Sequence, residues 1–404
     1  SPLPDPEATV ARLLCQPLGA APLTELVRTR RPREVAITIS DITRPVPNAI
    51  ILGPVLRALN RAGISDNQVV LVVGTGMHRP SARAELVQMI GQELLGRLEV
   101  ISHTADAPET LVRVSEDPPV SVNRRFAEAD LRLVTGLIEP HFMAGFSGGR
   151  KGIIPALADL TTVRRFHSYE TLAHPRADNG LLQGNPCHHI ALDLARRVGA
   201  DLLINVAINQ ARQVCGVFCG DLEQAHERGC AQVARITRAA FSEPSDLVIT
   251  CGGGAPLDRT FYQTVKGMVC ALPALAQGGT LLQVSGCAEG IGSPAYTSLM
   301  ARWGRDWRGF IADRQAHPEE TLLDQWELQM QCKVLQRTGL ERLHLASDGI
   351  PLETQAGLAV TPLAGPGDVE QRTQRFVDRH LAARPDARVA VIPDGPYTLL
   401  APHA

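Results

Sequence analysis

Lysine is scarce in this chain. Of its 40 basic residues only three are lysine, Lys151, Lys266 and Lys333, and the rest are arginine. Arginine stays protonated in proteins, whereas lysine can lose its proton and act as a nucleophile. Lys151 falls in EPHFMAGFSGGRKGIIP (139–155), close behind a histidine and a Ser-Gly-Gly turn. Histidine moves protons near neutral pH, and three of the twelve stand out by position: His78, His141 and His167. His78 and His141 each follow an apolar, β-branched run, in loops that also carry Gly or Pro. His167 lies sixteen residues after Lys151, in RRFHS (164–168). Two of these imidazoles make an acid/base pair, and a third could ligate a metal in its neutral form.

Other side chains suit an anionic substrate. Arg44, in DITRP (41–45), carries a guanidinium fork that can hold a carboxylate through two parallel hydrogen bonds. The turn Ser147-Gly148-Gly149 offers backbone N–H groups at little steric cost, which suits an anion or simply a tight strand end. In YQTVK (262–266), Gln263 and Lys266 lie one turn apart on one face if the segment is helical. Trp326 is one of three tryptophans, and core packing is the ordinary use of such a residue. Cys187-His188-His189 lacks a second half-site for a metal.

These residues need elements to hold them. REVAITIS (33–40), QVVLVV (68–73), Leu98–Ser102, LRLVTGL (131–137) and DLLINVA (201–207) read as strands. Amphipathic stretches at Asn48–Ala62 and Ser81–Arg97 read as helices between them. Alternation of this kind predicts a parallel sheet flanked by helices, with ligands beyond the carboxyl ends of the strands. DITRP, GTGMH (74–78) and EPH (139–141) all fall at such ends. A boundary is expected near Ser242-Glu243-Pro244. After it the pattern resumes with DLVIT (246–250), LLQV (281–284), Arg342–Leu345 and RVAVI (388–392). The expectation is therefore α/β with two domains, 1–243 and 244–404, each a mostly parallel sheet flanked by helices. The first carries the histidines and Lys151, and the active site lies in the cleft between the two. The Gly-rich turns at 252–254 and 286–292 do not form G-x-G-x-x-G opening a helix, so no dinucleotide site is read from them.

Composition narrows the function further. A net charge of −2 gives no basic field for nucleic acid or an anionic membrane, and 4% aromatic residues argue against a base-stacking surface. No apolar run approaches the ~20 residues of a membrane span. The first residues, SPLPDPEATVARLL, show no signal-peptide pattern. Nine scattered cysteines with no CxxC read as reduced thiols. A cytoplasmic protein is expected.

The motifs together resemble the nickel-pincer-nucleotide lactate racemase family over most of the chain. The resemblance is carried by DITRP (41–45), GTGMHR (74–79), EPHFMAGFSGGRK (139–151), FH (166–167), GNPCH (184–188) and YQTVK (262–266), with Trp326 at a similar interval. It implies a racemase or epimerase that inverts C2 of a 2-hydroxy acid, lactate or a related monocarboxylate. The implied cofactor is nickel held by pyridinium-3,5-bisthiocarboxylic acid mononucleotide, joined covalently to Lys151. His167 would complete the nickel site. His78 and His141 would move protons. Arg44 and Lys266 would hold the substrate carboxylate and meet on closure. Tyr262, Gln263 and Trp326 would lie near substrate or cofactor, and Asp41 with Ser147, Gly148 and Gly149 near the nucleotide. The chemistry is coherent, because moving the α-hydrogen as hydride avoids a carbanion beside an ionised carboxylate and yields a planar 2-keto acid. Proteins that build the cofactor are implied partners for loading. Two other readings use part of this inventory: a pyridoxal-phosphate enzyme with Lys151 as its Schiff-base lysine, and a binding protein for an anionic ligand that catalyses nothing. A zinc hydrolase fits least, since no HExxH occurs.

Overall fold

The computed structural model describes residues 1–403. Its contacts divide the chain into two compact units. The first comprises Ser1–Glu139, Phe146–Phe166 and Leu182–Arg235. The second comprises Pro140–Gly145, His167–Leu181 and the chain from Ile236 onward. The expected single border after residue 243 is thus replaced by an interleaved path. Two short excursions, one carrying His141 and the other His167, pack with the C-terminal part of the chain. Periodicity could not reveal this, because it reports which residues are buried and not against what.

The first unit is built on six strands: β1 (Val35–Ser40), β2 (Val69–Gly74), β3 (Glu99–Ser102), β4 (Leu131–Leu137), β5 (Leu202–Ile208) and β6 (Val214–Gly220). Their order is β6-β5-β4-β1-β2-β3. Every neighbouring pair is parallel except β5 with β6. In β1 and β2 consecutive residues are buried on both faces, as the continuous runs VAITI and VVLVV require of central parallel strands. Helix α1 (Asn48–Arg61) buries Ile51, Leu52, Val55, Leu56 and Leu59 against this sheet, the spacing of one helical face. Each such aliphatic side chain, fully buried, contributes about 1.5–3 kcal/mol. The chain adds β2 and β3 on one side of β1 and then returns to place β4 on the other. The segments leaving β1 and β4 therefore diverge from a topological switch point, where ligands of such sheets bind.

Two features were not expected from the sequence. The antiparallel strand β6 is turned back by Asn209 and Arg212, the latter at φ +57°. A hairpin also pairs Leu111–Glu116 with Pro119–Asn123. Helix α2 (Gln224–Thr237) brings His226 inside the unit.

The second unit holds five parallel strands: β7 (Ser245–Cys251), β8 (Leu275–Val284), β9 (Leu343–Ala346), β10 (Thr361–Pro362) and β11 (Val389–Ile392), in the order β10-β9-β8-β7-β11. Leu247, Leu282, Ala346 and Leu363 form part of its core. Helix α3 (Phe261–Cys270) carries Tyr262, Gln263 and Lys266. Helix α4 (Gln325–Thr338) is buried along most of its length even though Gln325, Glu327, Gln329 and Gln331 are among the buried residues. Such groups are kept inside by hydrogen bonds, and Gln331 Nε2 donates to the Leu358 and Ala359 carbonyls at 2.8 and 3.0 Å. No helix among the described residues is long and apolar enough to cross a membrane.

Candidate active site

In the first unit the loops after β1, β2 and β4 place several of the expected side chains at the carboxyl edge of the sheet. Asp41 follows β1 and is buried. Its Oδ1 accepts hydrogen bonds from the Thr43 N–H (3.1 Å) and hydroxyl (2.5 Å). Its Oδ2 lies 2.6 Å from His78 Nδ1. Burial pushes this carboxyl up, but the His78 hydrogen bond and charge, the Thr43 hydroxyl and the Arg44 charge outweigh it and hold the group below its ordinary range. An ionised Asp41 fixes the proton of neutral His78 on Nδ1 and leaves Nε2 with its lone pair, the arrangement of a general base. The resemblance implies a place for Asp41 near the nucleotide, and here its carboxylate engages His78.

Arg44 pairs with Glu139 at 3.3 Å, both side chains largely buried. Glu139 was visible in the sequence only as the neighbour of a histidine motif, and nothing there signalled this ion pair.

Of the two uses expected of the Ser-Gly-Gly turn, an anion site or a tight strand end, its hydrogen bonds show the close packing. The Ser147 N–H goes to the Glu139 carbonyl at 2.9 Å and the Gly149 N–H to Asn205 Oδ1 at 2.7 Å, so neither is offered to an anion. The Ser147 hydroxyl donates to the Leu137 carbonyl at 2.7 Å and accepts from the Glu139 N–H at 3.0 Å. Gly149 has φ +55°, and a Cβ there would stand 2.4 Å from the His226 ring. Gly148, at φ +71°, would bring a Cβ to 2.5 Å from Asn205 Oδ1. The glycines therefore let the backbone close against Asn205 and His226. Beside them, Arg150 is buried with its Nη1 3.1 Å from His226 Nε2, and burial lowers its guanidinium to about 10. The turn Gly149–Gly152 then presents Lys151, half-buried, with Nζ 5.4 Å from the centroid of the Phe166 ring. Asn205 and His226 were not foreseen, since neither sits in a recognisable motif.

In the second unit His167, Tyr262, Gln263, Lys266 and Trp326 gather on or beside α3 and α4. His167 stacks on Trp326 with ring centroids 4.3 Å apart and planes 28° apart. The Trp326 indole N–H donates to the Tyr262 hydroxyl at 2.6 Å. Burial keeps the Tyr262 hydroxyl far above its ordinary range, so it is neutral and can accept this bond while retaining its proton. Lys266 donates to Gln263 Oε1, and its Nζ lies 5.8 Å from the Phe142 ring centroid. His141 is buried, and its Nδ1 receives the Ala144 and Met143 N–H groups at 3.2 and 3.4 Å. A ring that accepts at Nδ1 carries its proton on Nε2 when neutral. In their neutral forms His78 thus has its lone pair on Nε2 and His141 its proton there.

Comparison with known proteins decides the family. Residues 1–180 match the lactate racemase N-terminal domain family, and residues 241–399 match the lactate racemase C-terminal domain family. Lactate racemase of Lactiplantibacillus plantarum is 35% identical over 333 residues, 81% of this chain and 77% of that protein. Lactate racemase of Thermoanaerobacterium thermosaccharolyticum is 31% identical over 398 residues, 96% of this chain and 89% of that protein.

The chain belongs to the lactate racemase family.

As a lactate racemase family member it is an isomerase. The lactate racemase apoprotein structure from T. thermosaccharolyticum superposes with a TM-score of 0.90 at 29% identity, covering 99% of this chain and 94% of that one. A Thermotoga maritima protein shares the fold with a TM-score of 0.73 at 18% identity. The family's α/β architecture was expected from the alternation of strands and helices. One cavity in the second unit, about 530 Å³, opens at the carboxyl ends of β7 and β8 and is lined in part by Cys251, Gly253, Gly254, Asp258 and Asp348. None of the candidate residues lines it. Its carboxylates are occupied, Asp258 by the Gly286 N–H at 2.9 Å and Asp348 by Arg372 at 2.5 Å.

Proposed function

We propose that this chain racemises or epimerises a 2-hydroxy acid at C2, lactate or a related monocarboxylate, with a nickel-pincer nucleotide tethered to Lys151. The observation that carries the reading is the Asp41–His78 pair at 2.6 Å, opposed in sense to the Nδ1-accepting His141.

The residues present fit the cofactor. Among the described residues no group of three His, Cys, Asp or Glu is arranged to hold a metal ion. A metal here must bring most of its donors with it, as a pincer nucleotide does, and needs little more than one imidazole from the protein. His167, its plane set by Trp326, suits that single position. Lys151 suits the tether, being half-buried on a turn whose backbone is locked by Asn205. When bound, the group supplies a hydride acceptor that later returns the hydride.

The chain's own residues do the rest. Arg44 and Lys266 bind the carboxylate as charge-assisted donors, which fixes C2 and its hydroxyl. His78 Nε2 takes the hydroxyl proton of one enantiomer as its α-hydrogen leaves. The imidazolium that forms is stabilised by Asp41. As the keto acid becomes the other enantiomer, His141, entering this half-reaction as the imidazolium, returns a proton from Nε2 to the oxygen and is left neutral, and the reverse reaction starts with His141 neutral and His78 protonated. Tyr262, Gln263 and Trp326 shape the surroundings of Lys266 and His167. Retention of the keto acid is favoured by excluding water. Cofactor-building proteins are the proposed partners. A cytoplasmic location is proposed because none of the cysteines is in a disulfide.

The test is a chiral assay on protein produced together with the cofactor-making enzymes, using L- and D-lactate and larger 2-hydroxy acids. Interconversion of at least one pair, abolished in Lys151→Ala, supports the reading. Tight binding of these acids with no interconversion by nickel-loaded protein contradicts it and favours a binding protein. An aldehyde cofactor released by acid, with no nickel present, favours the pyridoxal-phosphate reading.

A further inference from the structure

His167 lies at the start of a segment with little regular structure of its own. After it come one short helix, Tyr169–Ala173, and then irregular chain. A side chain that must hold one orientation cannot take it from such a segment alone. The neighbouring helix α4 is long and buried, and it touches this segment at successive turns of one face. Trp326 stacks on the His167 ring. Gln329 Nε2 donates to the Tyr169 carbonyl at 2.8 Å. Lys333 Nζ donates to the Ala177 carbonyl at 3.2 Å. Positions 326, 329 and 333 follow the i, i+3, i+7 spacing that puts side chains on one helical stripe. All the partners belong to the second unit. Lys333 is also the third of the chain's three lysines, and the proposed reaction leaves it without a task. Its charge acts on Asp178, whose carboxyl burial pushes up while the Asn179 N–H and Lys333 oppose the shift.

We infer that Gln329 and Lys333 are positioning residues: with Trp326 they make one face of α4 a rail that holds residues 167–178 and so fixes the His167 imidazole for the metal. This rests on the proposed role of His167. A packing role alone would stabilise the fold without governing His167. The rail account instead ties local order in this segment to metal retention.

The experiment uses Gln329→Leu and Lys333→Met, which keep bulk and remove the donor. In the full-length apoprotein, amide hydrogen exchange at residues 168–178 is expected to quicken about fivefold or more, with the rest of the chain unchanged. In the loaded protein, nickel loss to a chelator is expected to quicken about tenfold, in line with removal of an outer-shell support. kcat falls while KM stays near wild type. Lys333→Arg, which keeps a donor and the charge, is expected to restore most of the protection. If a leucine or methionine variant fails to fold, Gln329→Asn, whose amide cannot reach the carbonyl, replaces it with the same expected result. Unchanged exchange at 168–178 overturns the rail, as does faster exchange with wild-type nickel retention. His167→Ala reads the ligand assignment separately: wild-type nickel retention there overturns that assignment, whereas the apoprotein exchange still judges whether α4 orders the segment.

Discussion

At the scale of single residues the account turns on where protons sit. Asp41 accepts from Thr43 and engages His78, so a buried carboxylate imposes the tautomer of neutral His78 that its proposed role as a base requires. Asp41→Asn keeps the shape and removes the charge. It is expected to lower kcat about a hundredfold or more with little change in melting temperature, measured by steady-state racemisation and thermal unfolding. The same carboxylate has a pH signature. Its folded pKa lies below its ordinary value, so its contribution to stability is present above about 3.8 and is lost as pH falls through the lower folded value. Lys266→Met removes a charged donor and is expected to raise KM about 10- to 100-fold with a smaller effect on kcat. These side chains were legible in the sequence as residue types in motifs. Their pairings were not: DITRP gives no hint that its aspartate serves GTGMH while its arginine meets the glutamate of EPH. Such partners lie far apart in the chain and depend on strand order, which local pattern does not carry.

At the scale of elements, most strands of both sheets were legible because buried parallel strands read as continuous β-branched runs. β1, β2, β4 and β5 fall within a few residues of their sequence limits. The antiparallel β6 was hidden because VCGVFCG mixes glycine and cysteine with its apolar residues. The Ser-Gly-Gly turn was legible as a turn, but the residues it packs against were not. Its glycines allow close approach to Asn205 and His226 and so fix the platform under Lys151. Gly149→Ala would combine a left-handed backbone with a Cβ inside contact distance of His226. It is expected to lower stability by about 2–4 kcal/mol, read from urea unfolding, even in protein without cofactor. Helix α4 was marked in the sequence only by Trp326. Its buried Gln329 and Gln331 and half-buried Lys333 donate to the carbonyls of surrounding loops, a pattern that hydropathy reads as surface.

At the scale of the whole molecule, several histidines outside the proposed chemistry are buried in a way that favours the neutral form. Burial lowers His103 to about 4, His344 to about 4 and His188 to about 3, the last helped by the Arg150 charge. Each stays neutral when folded but takes up a proton near 6.5 when unfolded. Stability is therefore fully present above about pH 6.5 and falls as pH drops toward the folded values, with each group adding a slope of up to ~1.4 kcal/mol per pH unit. The urea midpoint is expected to decrease steadily from pH 7 to pH 5, and a flat profile would contradict it. The whole-chain plan was partly legible. The two α/β sheets and the family resemblance follow from the sequence, whereas the excursions carrying His141 and His167 into the second unit follow only from tertiary contacts. All the proposed chemistry depends on Lys151 as a tether. The most direct measurement is peptide mass mapping with metal analysis of protein made alongside the cofactor-building enzymes. The account requires a nucleotide-sized adduct on the Lys151 peptide with about one nickel per chain, both absent from Lys151→Arg. An unmodified Lys151 peptide in protein that still racemises a 2-hydroxy acid would contradict it.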